Sequence, residues 1–299
     1  MTAAFAPATA DLPPVFSADQ YQLLDFGDGR RLERFGPWVL DRPAPAAELA
    51  ARRNPSAWQE ADARFDRDGE GESGRWTGEH ELPPRWTIRH APFSLELKRT
   101  EFGHLGVFPE QAGNWDWIGE QVCAAGRPVR VLNLFAYTGA STLAAAAAGA
   151  QVTHVDGARN VVAWARQNAG LSGLAEAPIR WIAEDAQKFV RRELKRGNRY
   201  DAVILDPPSY GHGPHGEVWR LSKHLPWLLQ ACGRLTAGQP RFMLLTCHTP
   251  GFSPERLRRL LLEAIGDAGQ CAASAEELAI AAATGQRLRS GVAVRCAAV

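Results

Sequence analysis

Along the second two-thirds of the chain, short apolar runs alternate with longer amphipathic stretches. The runs are VRVLNLF (129–135), AQVTHVD (150–156), PIRWIAED (178–185), YDAVILD (200–206) and PRFMLLT (240–246), with ARNVVAWARQNAG (158–170) and AQKFVRRELKRG (186–197) among the segments between them. Apolar runs of this length, each followed by a helical pattern, predict a parallel sheet covered by helices on both faces. GVAVRCAAV (291–299) supplies a closing strand, and the alanines at 144–148 let their helix lie close to the sheet. The first hundred residues read differently. YQLLD and RRLERF flank FGDG, whose glycines and aspartate suit the positive backbone angles of a hairpin turn. RWTI and FSLELK form a second pair around His90, Ala91 and Pro92, and the polar stretch 63–85 between the pairs reads as loops. The pattern therefore predicts a small β-rich domain over residues 1–100, its first 20 residues Ala/Pro-rich and mobile, and an α/β, doubly wound, mostly parallel domain over 101–299.

Composition narrows the class. The 299 residues are 45% hydrophobic, ample for a buried core. The start lacks a basic, apolar leader and no stretch is apolar enough for a membrane span, so a soluble cytoplasmic protein is expected. Five cysteines (Cys123, Cys232, Cys247, Cys271 and Cys296) stand at unpatterned spacings, which predicts reduced thiols and no zinc site. The net charge of +1 divides into −7 for residues 1–120 and +8 for 121–299. A basic C-terminal part can attract a polyanion, although ordinary solvated helix faces account for such an excess equally well.

In an open parallel sheet, ligands bind beyond the carboxyl ends of the strands. Four such ends carry an acid or an amide: Asn133 to Gly139, Asp156, Asp185 and Asp206. Gly139 stands at a strand-to-helix bend, where a missing Cβ lets a ligand approach the main chain. Asp156 stands where a carboxylate can accept hydrogen bonds from a ribose, and Asp185 where a donor such as an adenine amino group can be met. A dinucleotide fingerprint would place three glycines here, but Phe135, Ala136 and Tyr137 occupy the first positions and crowd a pyrophosphate. A nucleoside ligand without phosphates fits better, and each acid could equally be a helix N-cap.

These residues resemble the class I S-adenosylmethionine-dependent methyltransferases. NLFAYTG, VD before WARQN, EDAQKF and DPPSYG are similar, in order and spacing, to the cytosine-5 and guanine-N7 methyltransferases of large-subunit ribosomal RNA; the likeness covers roughly residues 100–299. It implies a Rossmann-like seven-stranded sheet with S-adenosyl-L-methionine as cofactor. Asn133, Phe135, Tyr137, Thr138 and Gly139 would cup the methionine part, Asp156 the ribose, and Asp185 with Ala186 the adenine. GHLGVFPEQAGNW resembles the segment lining the cofactor pocket, which makes Phe108 and Gln111 candidate contacts.

DPPSYG puts Asp206 and two prolines at a strand tip, where the prolines keep the Asp206 and Pro207 carbonyls out of any helix ladder and make a rigid rim beside the methyl. Cys247 ends the next strand and is expected at the same rim. Methylating carbon 5 of a pyrimidine needs a nucleophile at carbon 6, which a thiolate supplies; a nitrogen acceptor needs the rim alone. The family's Ser-Cys-Ser-Gly setting is here Thr246-Cys247-His248-Thr249, and a buried core cysteine is the plain alternative. The glycine- and histidine-rich loop after the rim suggests a lid with Trp219 as a stacking surface. His212 and His215 in it lack a third ligand, so no metal is expected. Arg191, Arg192, Lys195, Arg196 and Arg199, with Arg256, Arg258 and Arg259, could meet the phosphates of a ribosomal RNA partner, and Trp38, Trp58, Trp76 and Trp86 could stack bases or simply fill a core. The oligomeric state stays open, as do a small-molecule or protein substrate, a non-catalytic cofactor-binding module and, more remotely, an NAD-linked oxidoreductase.

Overall fold

The computed structural model describes residues 16–69, 73–78, 82–212, 216–266 and 271–298. Most of the expected mobile N-terminus, and His215, lie outside these.

Strands β1 (Tyr21–Gly27), β2 (Arg30–Phe35), β3 (Trp38–Pro43), β4 (Ala63–Arg67) and β5 (Gly74–Thr77) form a sheet in that order, followed by a separate hairpin of β6 (Trp86–His90) and β7 (Phe93–Leu97). The charged stretch 63–85 is thus not all loop. β4 alternates buried Ala63 and Phe65 with outward Arg64 and Asp66, and β5 pairs with it antiparallel. The outward charges hid a period-two pattern that is two apolar residues long. Trp58 is buried, its Nε1 donating to Asp25 Oδ2 at 2.9 Å, and Trp76 Nε1 donates to the Thr100 carbonyl at 2.9 Å. Trp38, Trp76 and Trp86 pack against the main core, and Trp58 against a smaller cluster with Leu32 and Val39. These four indoles serve as packing.

The larger part runs α1 (Ala112–Cys123), β8 (Arg130–Leu134), α2 (Ala140–Ala147), β9 (Gln151–Asp156), α3 (Arg159–Leu171), β10 (Ile179–Ala183), α4 (Ala186–Lys195), β11 (Ala202–Leu205), β12 (Tyr210–His212), β13 (Val218–Arg220), α5 (Leu221–Leu235), β14 (Phe242–Cys247), α6 (Pro254–Ile265), β15 (Cys271–Ala281) and β16 (Arg287–Ala298). Seven strands pair in the order β10-β9-β8-β11-β14-β16-β15; the first five are parallel, and β16 runs antiparallel to both of its neighbours, β14 and β15. Strand order reverses between β8 and β11, so the crevice at the carboxyl ends of those two strands is where this topology places a ligand.

Successive residues of each central strand feed opposite cores. Val131, Ile204 and Leu244 join the cluster that also holds α1, α2 and the N-terminal strands, while Leu132, Val203 and Leu245 join the cluster under α4, α5 and α6. The first cluster runs without a break from Tyr21 and Phe35 into the large sheet. Hairpin β6–β7 fastens the two parts: Trp164 Nε1 on α3 donates to the Glu96 carbonyl at 3.1 Å, and the Glu96 amide donates to Asn168 Oδ1 at 2.8 Å. Cys271 and Cys296, expected as reduced thiols, are joined in a disulfide across the β15–β16 pair. They sit diagonally on adjacent antiparallel strands, a relation that spacing along the chain does not reveal. Among the described residues, no helix is long and apolar enough to cross a membrane.

Candidate active site

The bend that ends β8 is built from left-handed backbone. Phe135, Tyr137 and Gly139 have φ of 56°, 49° and 93°. Two of the three are not glycine, at a cost of about 1–2 kcal/mol each, so the surroundings must hold them. Tyr137 N donates to Asp156 Oδ2 at 2.9 Å, and Ala136 N to the Val155 carbonyl at 3.1 Å. The Phe135 ring packs on Trp219 at 5.0 Å between centroids, and the Tyr137 ring on Phe108 at 5.4 Å. Gly139 is needed for its angle and for packing: a Cβ there would stand 3.0 Å from the Cβ of Ala165 on α3. The missing Cβ thus lets the bend approach α3 closely, and Gly139 also borders the cleft described below.

Thr138 donates to the Gly106 carbonyl at 2.6 Å, and its own carbonyl accepts from Asn168 at 2.9 Å, tying the bend to the segment before α1 and to α3. Asn133 faces inward, donating to Thr142 Oγ1 at 2.9 Å, which in turn meets His154 Nδ1 at 2.9 Å. Burial holds the His154 imidazole neutral, its pKa lowered to about 3.

Around this bend the strand tips converge on one opening. A cavity of about 530 Å³ is lined by Asp156, Asp185, Ala186, Asp206, Pro207 and His248, with Phe108, Phe135, Tyr137 and Trp219 among its aromatic walls. A cleft continuing from it is lined by Asn133, Phe135 through Gly139, Gln111, Asp206 and Thr246. Of the thirteen residues expected at the site, Cys247 alone borders neither space.

Asp156 accepts one backbone N–H on each oxygen, from Tyr137 and from Ala158 at 3.0 Å. Burial nonetheless pushes its carboxyl above the usual range, against those two bonds. A carboxylate has about four acceptor positions, so both oxygens can still take a hydroxyl. Asp185 is also the N-cap of α4, accepting from Lys188 N at 2.8 Å, and Ala186 begins that helix beside it. Desolvation raises the Tyr137 phenol to about 12 and lowers His104, which shares the cavity wall, to about 4, so both are uncharged at neutral pH.

At the other end Asp206 is held by three donors. Thr246 Oγ1 donates to Oδ1 at 2.5 Å, Gln111 Nε2 to Oδ2 at 3.3 Å, and His248 Nε2 stands 3.4 Å from Oδ1. Burial would raise this carboxyl, but His248, through its hydrogen bond and charge, and Thr246 hold it below the ordinary range. Conversely His248 is raised to about 9: burial opposes the charge, and Asp206 overcomes it. Gln111 is oriented from behind, because Arg295 Nε donates to Asn114 Oδ1 at 2.9 Å and Asn114 Nδ2 donates to Gln111 Oε1 at 2.7 Å.

Cys247 turns away from the rim expected of it. It is 2% exposed within the cluster under α4, α5 and α6, and burial pushes its thiol upward. Side chains alternate along β14, so Thr246 and His248 take the face toward Asp206 and Cys247 takes the other. The loop after the rim forms the β12–β13 hairpin, with Trp219 buried and donating to the Pro208 carbonyl at 2.6 Å. Trp219 is a wall of the cavity rather than an exposed stacking surface. His104 belongs to the GHLGVFPEQAGNW segment expected to line the pocket, whereas Thr246 was not expected as a lining residue; the amide relay had a faint sign, in the three-residue spacing of Gln111 and Asn114 at a helix start.

An acid pair at one end, an aromatic waist and a third carboxylate at the other end suit a nucleoside joined to a cationic group, and the volume lies within the range of cofactor sites. Residues 64–245 match the profile of the S-adenosylmethionine-dependent methyltransferases. The chain belongs to that family. It is similar to the crystal structure of the S-adenosylmethionine-dependent methyltransferase from Agrobacterium tumefaciens, at 40% identity and TM-score 0.87, over 92% of this chain and 89% of that one. The fold of this methyltransferase chain is also that of a methyltransferase crystallised with S-adenosylhomocysteine, at 18% identity and TM-score 0.74, over 94% and 76% of the two chains. Among curated proteins, it is 32% identical over 135 residues to the ribosomal RNA large subunit methyltransferase K/L of Shewanella baltica, covering 41% of this chain and 18% of that protein. It is 34% identical over 110 residues to the ribosomal RNA large subunit methyltransferase I of Aeromonas salmonicida, covering 36% and 27%. The matched stretches are thus under a third of each curated relative's length. The cofactor of the family is S-adenosylmethionine, and the donor set described above fits it.

Proposed function

We propose that this protein transfers a methyl group from S-adenosylmethionine to a nucleobase of large-subunit ribosomal RNA. The observation that carries the reading is the continuity of the two spaces: the cleft along Asn133–Gly139 opens at Asp206 into a cavity that the Asp206-Pro207-Pro208 rim borders. A cofactor lying along the strand tips would present its methyl where the rim begins. The ribosomal RNA relatives supply the substrate class.

When bound, S-adenosylmethionine supplies an electrophilic methyl. The chain has to bind, orient and exclude water. Asp156 would take the ribose hydroxyls, Asp185 with Ala186 the adenine edge, and Asn133 to Gly139, with Phe108 and Gln111, the methionine part. Asp206 and the Pro207 carbonyl would hold the target, flipped from its stack, against the wall that Trp219 and Phe135 make. Between the acceptor classes, the burial of Cys247 favours a nitrogen, because a carbon-5 acceptor needs an accessible thiolate.

Mass spectrometry of ribosomal RNA nucleosides from cells with and without the protein should show the loss of one methylated base. Methylation by the purified protein should survive Cys247→Ala, with no covalent adduct to RNA carrying 5-fluorocytosine. Unchanged nucleosides together with no transfer to ribosomal RNA in vitro would refute the RNA reading, and a trapped adduct would move the acceptor to carbon 5.

A further inference from the structure

His248 stands where the cofactor cleft and the acceptor cavity meet, and both of its protonation states have a partner already in place. Its Nδ1 lies 2.6 Å from the Ser290 carbonyl, which can only accept, so Nδ1 carries a hydrogen in either state. As a cation, Nε2–H points to Asp206 Oδ1 at 3.4 Å. As a neutral ring, the Nε2 lone pair faces Gln111 Nε2 at 3.2 Å. That amide must present its NH₂ group there: arginine has no acceptor, so Arg295 fixes the Asn114 oxygen, and Asn114 in turn fixes the Gln111 oxygen. The ring's position is also built. A Cβ on Gly291 would stand 2.9 Å from His248 Nδ1 and 2.7 Å from the Cys247 carbonyl oxygen.

Resting on the reading of this site as the seat of S-adenosylmethionine, we propose that His248 is a proton-linked residue of the methyl-donor site: a sulfonium and the imidazolium compete for the Asp206 carboxylate, so donor binding expels the His248 proton. The neutral imidazole then turns its lone pair toward Gln111, and the cavity gains a proton acceptor beside the rim. After transfer the donor is neutral S-adenosylhomocysteine, and the ring recovers a proton from the target base or from water.

The charges that face the ring agree with this exchange. Asp206 and, more weakly, Glu110 favour the cation, and the adjacent Cys247 thiol is held protonated by burial. His104, across Phe108, is neutral. The free ring is a cation, with its pKa raised to about 9. A second positive charge sharing the Asp206 carboxylate would lower that value. Protons are therefore released wherever the pH lies between the lowered and the resting value, and affinity for the donor rises with pH in that window.

The test compares two ligands that share an α-amino group and differ in the sulfonium. Calorimetry at about pH 7.5, in buffers of different ionisation enthalpy, should show S-adenosylmethionine releasing up to about one proton more than S-adenosylhomocysteine. Its affinity should strengthen by up to ~10-fold per pH unit above neutrality, relative to the product. In His248→Gln the excess should vanish. In the unmutated protein the His248 imidazole, followed by NMR, should titrate lower with S-adenosylmethionine than with S-adenosylhomocysteine. Equal proton release for both ligands, or an unmoved imidazole, would overturn the proposal while leaving the cofactor site intact. Binding of neither ligand would refute the cofactor site itself.

Discussion

At the scale of single residues, the end of the cavity proposed to take the nucleoside depends on one carboxylate that both braces the backbone and lines the space. Asp156 holds the left-handed Tyr137 through its N–H and begins the next turn through Ala158, while its remaining acceptor positions face the cavity. Asp156→Asn keeps the shape but replaces one oxygen with a donor, which must then face either Tyr137 N–H or Ala158 N–H. An unmet buried donor costs about 1–3 kcal/mol, so the thermal midpoint should fall. The loss of a charged acceptor for the ribose should also weaken S-adenosylhomocysteine by ~10-fold or more. Calorimetry and a melting curve check both; an unchanged affinity would remove Asp156 from the cofactor site. Phe135 and Tyr137 take left-handed angles that ordinarily favour glycine. Phe135 and Tyr137 are held by rings on either side, Trp219 for one and Phe108 for the other.

At the scale of elements, the β12–β13 hairpin closes one side of the cavity through a single indole. Trp219 is buried, donates to the Pro208 carbonyl and packs on Phe135 and His224. Trp219→Phe keeps a ring and loses one hydrogen bond, for about 1 kcal/mol of stability. Trp219→Ala removes the wall, for about 3–5 kcal/mol. Methyl transfer should survive the first and fall at least ~10-fold in the second, if the indole shapes the acceptor space. Equal activity of the two, measured beside their melting curves, would leave Trp219 a purely structural role. The strands of the large sheet and the tips that carry Asp156, Asp185 and Asp206 were legible because an apolar run followed by an acid is a local pattern. Strand β4 was not, since charges outnumber its two inward residues. Nor was the side that Cys247 faces, because one residue of register decides it. The His248–Asp206 pair and the Arg295–Asn114–Gln111 relay join segments far apart in the chain, and no local pattern announces them.

At the scale of the whole molecule, the N-terminal strands and the catalytic sheet share one buried cluster, so their stabilities should be inseparable. Arg42 links them in the interior: it pairs with the fully buried Glu33 and donates to the Gly103 carbonyl at 3.0 Å, just before the segment that lines the cofactor cleft. Arg31 also pairs with Glu33, and its charge acts on His104 in the cavity wall. Hairpin β6–β7 covers α3 through Glu96, whose side chain also accepts from Gln167 at 2.8 Å. A chain begun at residue 101 would strip the N-terminal residues from the cluster that holds Val107, Ala112, Trp115 and Ile118, and would uncover Trp115, which packs on Phe16, His90 and Phe93. That apolar exposure, at ~25 cal/mol per Å², is of the order of a domain's entire stability. The full chain should therefore melt in a single transition, shifted upward as one by S-adenosylhomocysteine, and residues 101–299 alone should fail to bind it. Two separate transitions, with the ligand moving one of them, would mean that the two parts fold independently. In that case the buried Glu33–Arg42 pair would be no more than an internal feature of the smaller part.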